Sequence, residues 1–337
     1  MENNRIPVTI ITGFLGSGKT TLLNNIVKRY TDKKFAIIEN EFGEIGIDGD
    51  LIVGVRDSIF ELSNGCICCS LNDDFSDTLQ KLLGSEYSFD HLIIETTGIA
   101  DPDSIIQAFL SSENVQQRFV LDSVICLADA INLDDLINEQ AEVRKQLVLS
   151  DIVILNKIEG FTEAELQKQV DTIKKFNQLA QIHKVSFANI ENIDILDTFC
   201  YSGKVIESST MSFRNITVFN GETFVSQSAL LQKGDKKHQH EITSEGFVIP
   251  GSFDLNRFSL WMQNYLYFNN KTIFRVKGIV SFPEMNSRAI IHAVRGNYMF
   301  EEGQKWESEE RFNKLIFIGK QIDRDMIEDA LYKLLAS

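Results

Sequence analysis

Positive charge is what this sequence has too little of. Its 337 residues carry 33 Lys and Arg against 48 Asp and Glu, a net charge of -15. A surface of that sign repels phosphate backbones and anionic lipid instead of recruiting them, so neither nucleic acid nor a membrane is an expected partner. No apolar run approaches the roughly 18 residues that a spanning helix needs. The opening MENNRIPVTI has no charged stretch leading into an apolar core, so a cytoplasmic location is the expectation. Cysteine is scarce as well: five, an odd number, make a poor disulfide framework. In a reducing compartment such residues serve as core, metal ligands or redox groups. Internal repeats and low-complexity tracts are also missing. What is present is 43% hydrophobic residues, enough for a large core and, at this length, two domains.

Through the first half, short apolar runs alternate with helix-like segments. IPVTIIT (6–12), KFAIIEN (34–40), HLIIETT (91–97), FVLDSVICLADA (119–130), DIVILNK (151–157) and AQIHKVS (180–186) read as strands, several too continuously apolar to have a wet face. Helices fit at 19–30, 72–83, 102–111, 132–147 and 162–177, the last behind a capping box of Thr162 and Glu165. The alternation predicts an α/β fold with a mostly parallel, doubly wound sheet over 1–200. A polar segment, 201–240, then connects to a smaller α+β domain over 241–337. EGFVIPG, a helix at 254–268, TIFRVKGIVSF, SRAIIHAVRGNYMF, KLIFIGK and a closing helix from about 322 form that domain.

Gly13-Phe14-Leu15-Gly16-Ser17-Gly18-Lys19-Thr20 matches G-x-x-x-x-G-K-[ST] between a predicted strand and a predicted helix. Glycines at this spacing let backbone N-H groups surround phosphate oxygens at a helix N-terminus, where the dipole favours anions. Lys19 would reach the β- and γ-phosphates, the Thr20 hydroxyl would bind Mg²⁺, and Thr21 would join the nucleotide-binding residues. Glu95 closes an apolar strand and can hold Mg²⁺, usually through a water, while Gly98 can present its N-H to a γ-phosphate. Ile99 stands where a Ras-like enzyme carries its water-orienting Gln, which predicts slow intrinsic hydrolysis. Asn156-Lys157-Ile158-Glu159 resembles the base-reading N-K-x-D of GTPases, with the carboxylate one methylene farther out. Guanine selectivity is therefore expected but weakened. Ser186 and Ala188 follow the next strand and could complete the base pocket.

Cys66, Cys68 and Cys69 lie within four positions of NGCICC. Thiolates are soft, charged ligands suited to Zn²⁺ and able to hold Co²⁺. A redox pair and a buried apolar cluster are the other readings of such a run, whereas Cys126 within SVICLADA reads as core. His238 and His240, in a Lys-rich loop, read as solvated.

Taken together, GFLGSGKTTLLN, IENEFGEIGIDGDLI, ELSNGCICCSL, IIETTGIADP and DIVILNK resemble the CobW-type GTPases, a group of cobalamin-pathway proteins, nitrile hydratase activators and zinc-transfer chaperones. FRVKGIVSF and KLIFIGK are similar to that family's C-terminal domain, so the resemblance spans nearly the whole chain. It implies a P-loop GTPase using GTP and Mg²⁺ that carries zinc, or cobalt, to a client metalloprotein, with Glu41 and Glu44 as carboxylates near the cysteines. Two rivals are a P-loop small-molecule kinase, which would prefer ATP, and a metal sensor or store whose metal affinity ignores hydrolysis.

Overall fold

The computed structural model describes residues 5–40, 59–63, 79, 82–84, 88–98, 101–201, 218–219, 222–223, 242–307 and 310–336. It divides into two compact units, Met1–Phe199 and Cys200–Ser337.

The first unit runs β1 (Ile6–Gly13), α1 (Lys19–Arg29), β2 (Phe35–Asn40), β3 (Ile59–Ser63), β4 (His91–Thr96), α2 (Asp103–Ser111), α3 (Glu113–Arg118), β5 (Phe119–Asp129), α4 (Leu133–Glu139), α5 (Ala141–Leu149), β6 (Ile152–Asn156), α6 (Glu163–Phe176) and β7 (Gln181–Lys184). The strands form one sheet, β3-β2-β4-β1-β5-β6-β7, and every neighbouring pair is parallel. Parallel strands covered on both faces need apolar side chains in both directions. In β6 all of Ile152, Val153, Ile154 and Leu155 are fully buried, each stabilising the unit by about 1.5–3 kcal/mol relative to exposure.

Helix α6 starts as its capping box requires: the Thr162 hydroxyl accepts from Glu165 N, and Glu165 Oε2 accepts from Thr162 N at 2.8 Å. The single helix expected at 132–147 is instead two, with Gln140 in an extended conformation between α4 and α5. The reason is rotational. Six residues, about 600° of helix, separate Ile137 from Val143, so in one straight helix they would face about 120° apart. Both are buried in the same cluster as Leu133 and Leu147, and the break turns the second segment back onto the core. The Arg144 guanidinium donates to the carbonyls of Ile137 and Asn138, closing the end of α4. Strand β3, only five residues long, and helix α3, six residues and mostly polar, go beyond the expected elements. The helix expected at 72–83 lies largely outside the described residues.

The second unit contains a two-residue pair, β8 (Val218–Phe219) with β9 (Glu222–Thr223), then β10 (Ile242–Pro250), α7 (Leu255–Phe268), β11 (Ile273–Val280), β12 (Ser287–Val294), β13 (Asn297–Lys305), β14 (Phe312–Lys320) and α8 (Arg324–Lys333). Its antiparallel sheet, β10-β14-β11-β12-β13, buries Phe247, Val276, Ile291 and Phe317 against Phe258 and Met262 of α7 and Ile327 and Leu331 of α8. This is the smaller α+β domain that the sequence predicted. Among the described residues no helix is long and apolar enough to cross a membrane.

Candidate functional site

Strand β1 ends at Gly13, and the chain turns through Gly16 and Gly18 into α1. Gly18 takes φ +107°, and a Cβ there would stand 2.7 Å from Asn156 Nδ2. Backbone sign and lack of space both demand glycine. Helix α1 has no acidic residue in its first turn and no side-chain cap, so its N-terminal N-H groups and dipole favour an anion. Lys19 is buried and its Nζ donates to the carbonyls of Gly13 at 3.1 Å and Phe14 at 3.5 Å. Ser17 is fully buried, and its Oγ has no hydrogen-bond partner among the described residues. The Thr97 Oγ1 beside the β4 end is likewise buried and unmatched. Buried hydroxyls rarely stay unmatched, because each costs about 1–3 kcal/mol. Two of them next to a Gly-rich helix start, with an ammonium, fit the oxygens of a phosphate chain. Thr20 is half-buried and Thr21 exposed.

Strand β4 lies beside β1, with Glu95 in register with Ile11, and the Thr96 hydroxyl donates to Thr12 Oγ1 at 3.0 Å. The half-buried Glu95 therefore stands two positions behind Gly13 on the neighbouring strand. Gly98 is pressed onto the phosphate loop: a Cβ on it would meet Leu15 N at 2.6 Å. The Gly98 carbonyl accepts from Gln146 Nε2 at 3.1 Å.

On the other flank, Asn156 joins three segments. Its Nδ2 donates to Ser17 O at 2.9 Å and its Oδ1 accepts from Ala188 N at 2.8 Å. Lys157 follows at φ +62°, with its Nζ 2.9 Å from Asp129 Oδ2. Burial would push the Asp129 carboxyl up, but hydrogen bonds from Lys157, Asn132 and the Ile131 N-H outweigh it and hold the acid below its ordinary value. Phe187 and Ala188 both take positive φ, 52° and 51°, a conformation that costs residues with a side chain about 1–3 kcal/mol. Asn25 of α1 holds them there, donating to their carbonyls at 3.1 and 2.8 Å. Ser186 is half-buried at the start of this turn and Glu159 is exposed.

The structure thus gathers Gly13, Gly16, Ser17, Gly18, Lys19, Thr20, Glu95, Gly98, Asn156 and Ala188 at the carboxyl edge of one sheet. Sequence reasoning missed Asp129, Asn25 and Gln146. Asp129 had a signal, an acid closing the eleven-residue strand β5 in register with Asn156. The other two had none. Cys126 lies in the core, where burial pushes its thiol up to about 12 against the lowering effect of Lys19. Glu41, Glu44, Cys66, Cys68, Cys69, Ile99, His238 and His240 lie outside the described residues. Among the described residues no group of three or more His, Cys, Asp or Glu is placed to hold a metal ion.

Residues 7–184 match the family model "CobW/HypB/UreG, nucleotide-binding domain", and residues 242–335 match "Cobalamin synthesis protein cobW C-terminal domain". The zinc chaperone YjiA of Escherichia coli K12 is 33% identical over 331 residues, covering 97% of this chain and 98% of its own. The crystal structure of Zn(II)-bound YjiA GTPase from E. coli superposes with a TM-score of 0.69 at 28% identity, covering 99% of this chain and 100% of that one. A Zn(II)-bound triple mutant of YjiA, with one glutamate and two cysteines replaced by alanine, superposes with the same score, identity and coverage.

Proposed function

The chain belongs to the CobW family of nucleotide-binding metallochaperone GTPases, and from that premise we propose that it binds a transition metal, zinc or alternatively cobalt, at Cys66, Cys68 and Cys69. It hands this cargo to a client metalloprotein in the cytoplasm, with metal affinity set by the nucleotide held at Gly13–Thr20.

One observation carries this reading. β1, β2, β3 and β4 are parallel neighbours, so Gly13, Asn40, Ser63 and Thr96 all leave the sheet at one edge. The acidic segment with Glu41 and Glu44 follows directly after Asn40, and Cys66 follows Ser63 by three residues, a span of at most about 10 Å. Cargo-bearing and γ-phosphate-sensing segments thus spring from adjacent strands. Glu39, on β2, is in register with both Ser63 and Glu95. The YjiA variant lacking one glutamate and two cysteines is itself Zn(II)-bound, so zinc on that relative does not require those three residues, and Glu41 and Glu44 remain the candidate carboxylates here. The E. coli relative, a zinc chaperone with a Zn(II)-bound form, supports zinc over cobalt.

As a GTPase the chain hydrolyses GTP to GDP and phosphate. Lys19 and the loop amides would stabilise charge on the phosphoryl oxygens, and the Gly98 N-H would meet the γ-phosphate. Asn156, Lys157, Glu159, Ser186 and Ala188 would enclose the base. Thr20 and Glu95 would hold Mg²⁺, which would supply charge that neutralises the phosphate oxygens. With Ile99 in place of a water-orienting glutamine, intrinsic turnover is slow. The switching device is the γ-phosphate contact made beside β4, to which the metal site is coupled, and linkage makes metal and GTP alter each other's affinity by the same factor.

The test is a competitive Zn²⁺ titration of wild type and a Cys66/Cys68/Cys69→Ser variant, each with GDP and with a non-hydrolysable GTP analogue. Zinc affinity should differ between nucleotide states in wild type and collapse in the variant. Equal binding by the two proteins overturns the site, and equal wild-type affinity in both nucleotide states leaves a metal store instead of a chaperone cycle.

A further inference from the structure

Helix α5 carries a polar residue where its packing calls for an apolar one. Val143, Leu147, Val148 and Leu149 are buried, and Gln146 among them is 1% exposed. An unmatched amide in that setting would be costly, and leucine would fill similar space without that cost. The Gln146 Nε2 is directed to Gly98 O at 3.1 Å. Its neighbour Lys145 pairs with Asp101 Oδ2 at 2.8 Å, and Asp101 Oδ1 accepts from Asp103 N at 3.1 Å. Two consecutive residues of one helix therefore hold Gly98 and Asp101, on either side of positions 99–100. Gly98 also meets Leu15 of the phosphate loop, closely enough that a Cβ would come within 2.6 Å of Leu15 N. Gly98 thus touches both the loop that surrounds the phosphates and α5, a helix whose own sequence carries none of the nucleotide-binding motifs.

We propose that Gln146 is a positioning residue for γ-phosphate recognition: its amide fixes the Gly98 peptide against Leu15, so that this protein's preference for GTP over GDP depends on a side chain of α5. The proposal rests on the reading of Gly98 as the γ-phosphate contact. The energetic logic is differential. GDP lacks the group that Gly98 meets, so a loosened Gly98 leaves GDP binding alone. GTP binding and its hydrolysis must then supply the ordering that Gln146 provides in advance.

The experiment measures affinities for GDP and a non-hydrolysable GTP analogue, together with kcat and KM for GTP, in wild type, Gln146→Leu and Gln146→Glu. Gln146→Leu keeps the packing and removes the donor. It should leave GDP affinity within about twofold while weakening the GTP analogue and lowering kcat by about tenfold, the size of one lost hydrogen bond. Gln146→Glu opposes a carboxylate to a carbonyl at neutral pH and should be at least as impaired. As pH falls below about 6, a buried carboxyl protonates and can donate, so the GTP preference of this variant should return, unlike that of Gln146→Leu. An unchanged GTP-to-GDP ratio in Gln146→Leu, equal losses for both nucleotides, or a Gln146→Glu variant without acid rescue would each overturn the proposal. Gly98→Ala identifies which step failed. If it too leaves the ratio unchanged, the γ-phosphate role of Gly98 is wrong; if it abolishes the preference while Gln146→Leu does not, only the Gln146 role is wrong.

Discussion

Asn156 and Ser17 stand far apart in the chain, yet the Asn156 amide donates to the Ser17 carbonyl across 2.9 Å. The same side chain accepts from the Ala188 N-H at 2.8 Å. One buried residue thus fixes the phosphate loop, the end of β6 and the turn after β7 relative to each other. It is a brace between the two halves of the nucleotide site.

Asn156→Ala strips a partner from two backbone groups, Ser17 O and Ala188 N, at a cost of about 1–3 kcal/mol each. Thermal unfolding should shift down, and GDP affinity measured by calorimetry should fall at least about tenfold, since the loop and base turn lose their common anchor. Asn156→Asp retains the acceptor for Ala188 but sets a carboxylate against the Ser17 carbonyl, and should bind GDP no better. Wild-type GDP affinity in both variants would remove Asn156 from the site.

Lys157 depends on Asp129 in a different way. The pair, 2.9 Å apart with Asp129 only 6% exposed, steadies a lysine whose backbone already sits at φ +62°. Asp129→Ala should weaken GDP about three- to tenfold by freeing Lys157 from the base, while leaving inorganic pyrophosphate affinity unchanged. Equal weakening of both ligands would mean that Asp129 acts on the phosphate loop instead.

Glu159 bears on which base is read. Glu159→Ala should bring GDP and ADP affinities together by about 10- to 100-fold, because a base-edge donor pair left without its acceptor is heavily penalised. Glu159→Asp, which shortens the side chain by one methylene, should widen the GDP-over-inosine diphosphate ratio. A protein that prefers ADP from the outset is instead the P-loop kinase.

Much of this was legible because burial on both faces makes a parallel strand a continuous apolar run, and the expected strands at 6–12, 91–97 and 151–157 match Ile6–Gly13, His91–Thr96 and Ile152–Asn156. The capping box was legible because Thr162 and Glu165 act within one turn. The break at Gln140 was not, since each half of 132–147 has helical periodicity and only the core decides which face must point inward. Phe187 and Ala188 adopt positive φ without a glycine to announce it, imposed by Asn25 from 162 and 163 residues away. Lys157 and Glu159 read as a motif, but the acid that holds Lys157 belongs to another strand. Gln146 carried no local signal at all, because its partner is a backbone carbonyl brought to it by the fold.

The opposite edge of the sheet predicts a pH dependence with two opposing parts. Asp197, at φ +54°, lies 3.6 Å from His91 Nδ1 and 2.8 Å from Lys33 Nζ. The His91 imidazole first, and then Lys33 against the opposing push of burial, hold its carboxyl down from 3.8 to about 2. Asp122 accepts from Thr9 Oγ1 at 3.2 Å, from Thr198 Oγ1 at 3.3 Å and from the Phe199 N-H, yet burial outweighs these and pushes its carboxyl up. The signs follow from proton counting. For Asp197 the unfolded chain binds the proton more tightly, so its stabilisation is complete above about pH 4 and fades as pH falls toward about 2. For Asp122 the folded chain binds it more tightly, so stability is highest with the acid protonated and declines as pH rises from about 4 through the raised value. Asp197 is 38% exposed, and solvent screening limits its share to about 1 kcal/mol at most. Urea unfolding between about pH 3 and pH 7 should therefore show a shallower acid limb in Asp197→Asn and a shallower decline above about pH 4 in Asp122→Asn, whose amide oxygen can still accept from Phe199. If both variants trace the wild-type profile, these carboxylates do not govern stability at this edge, and the acid sensitivity belongs to residues elsewhere in the chain.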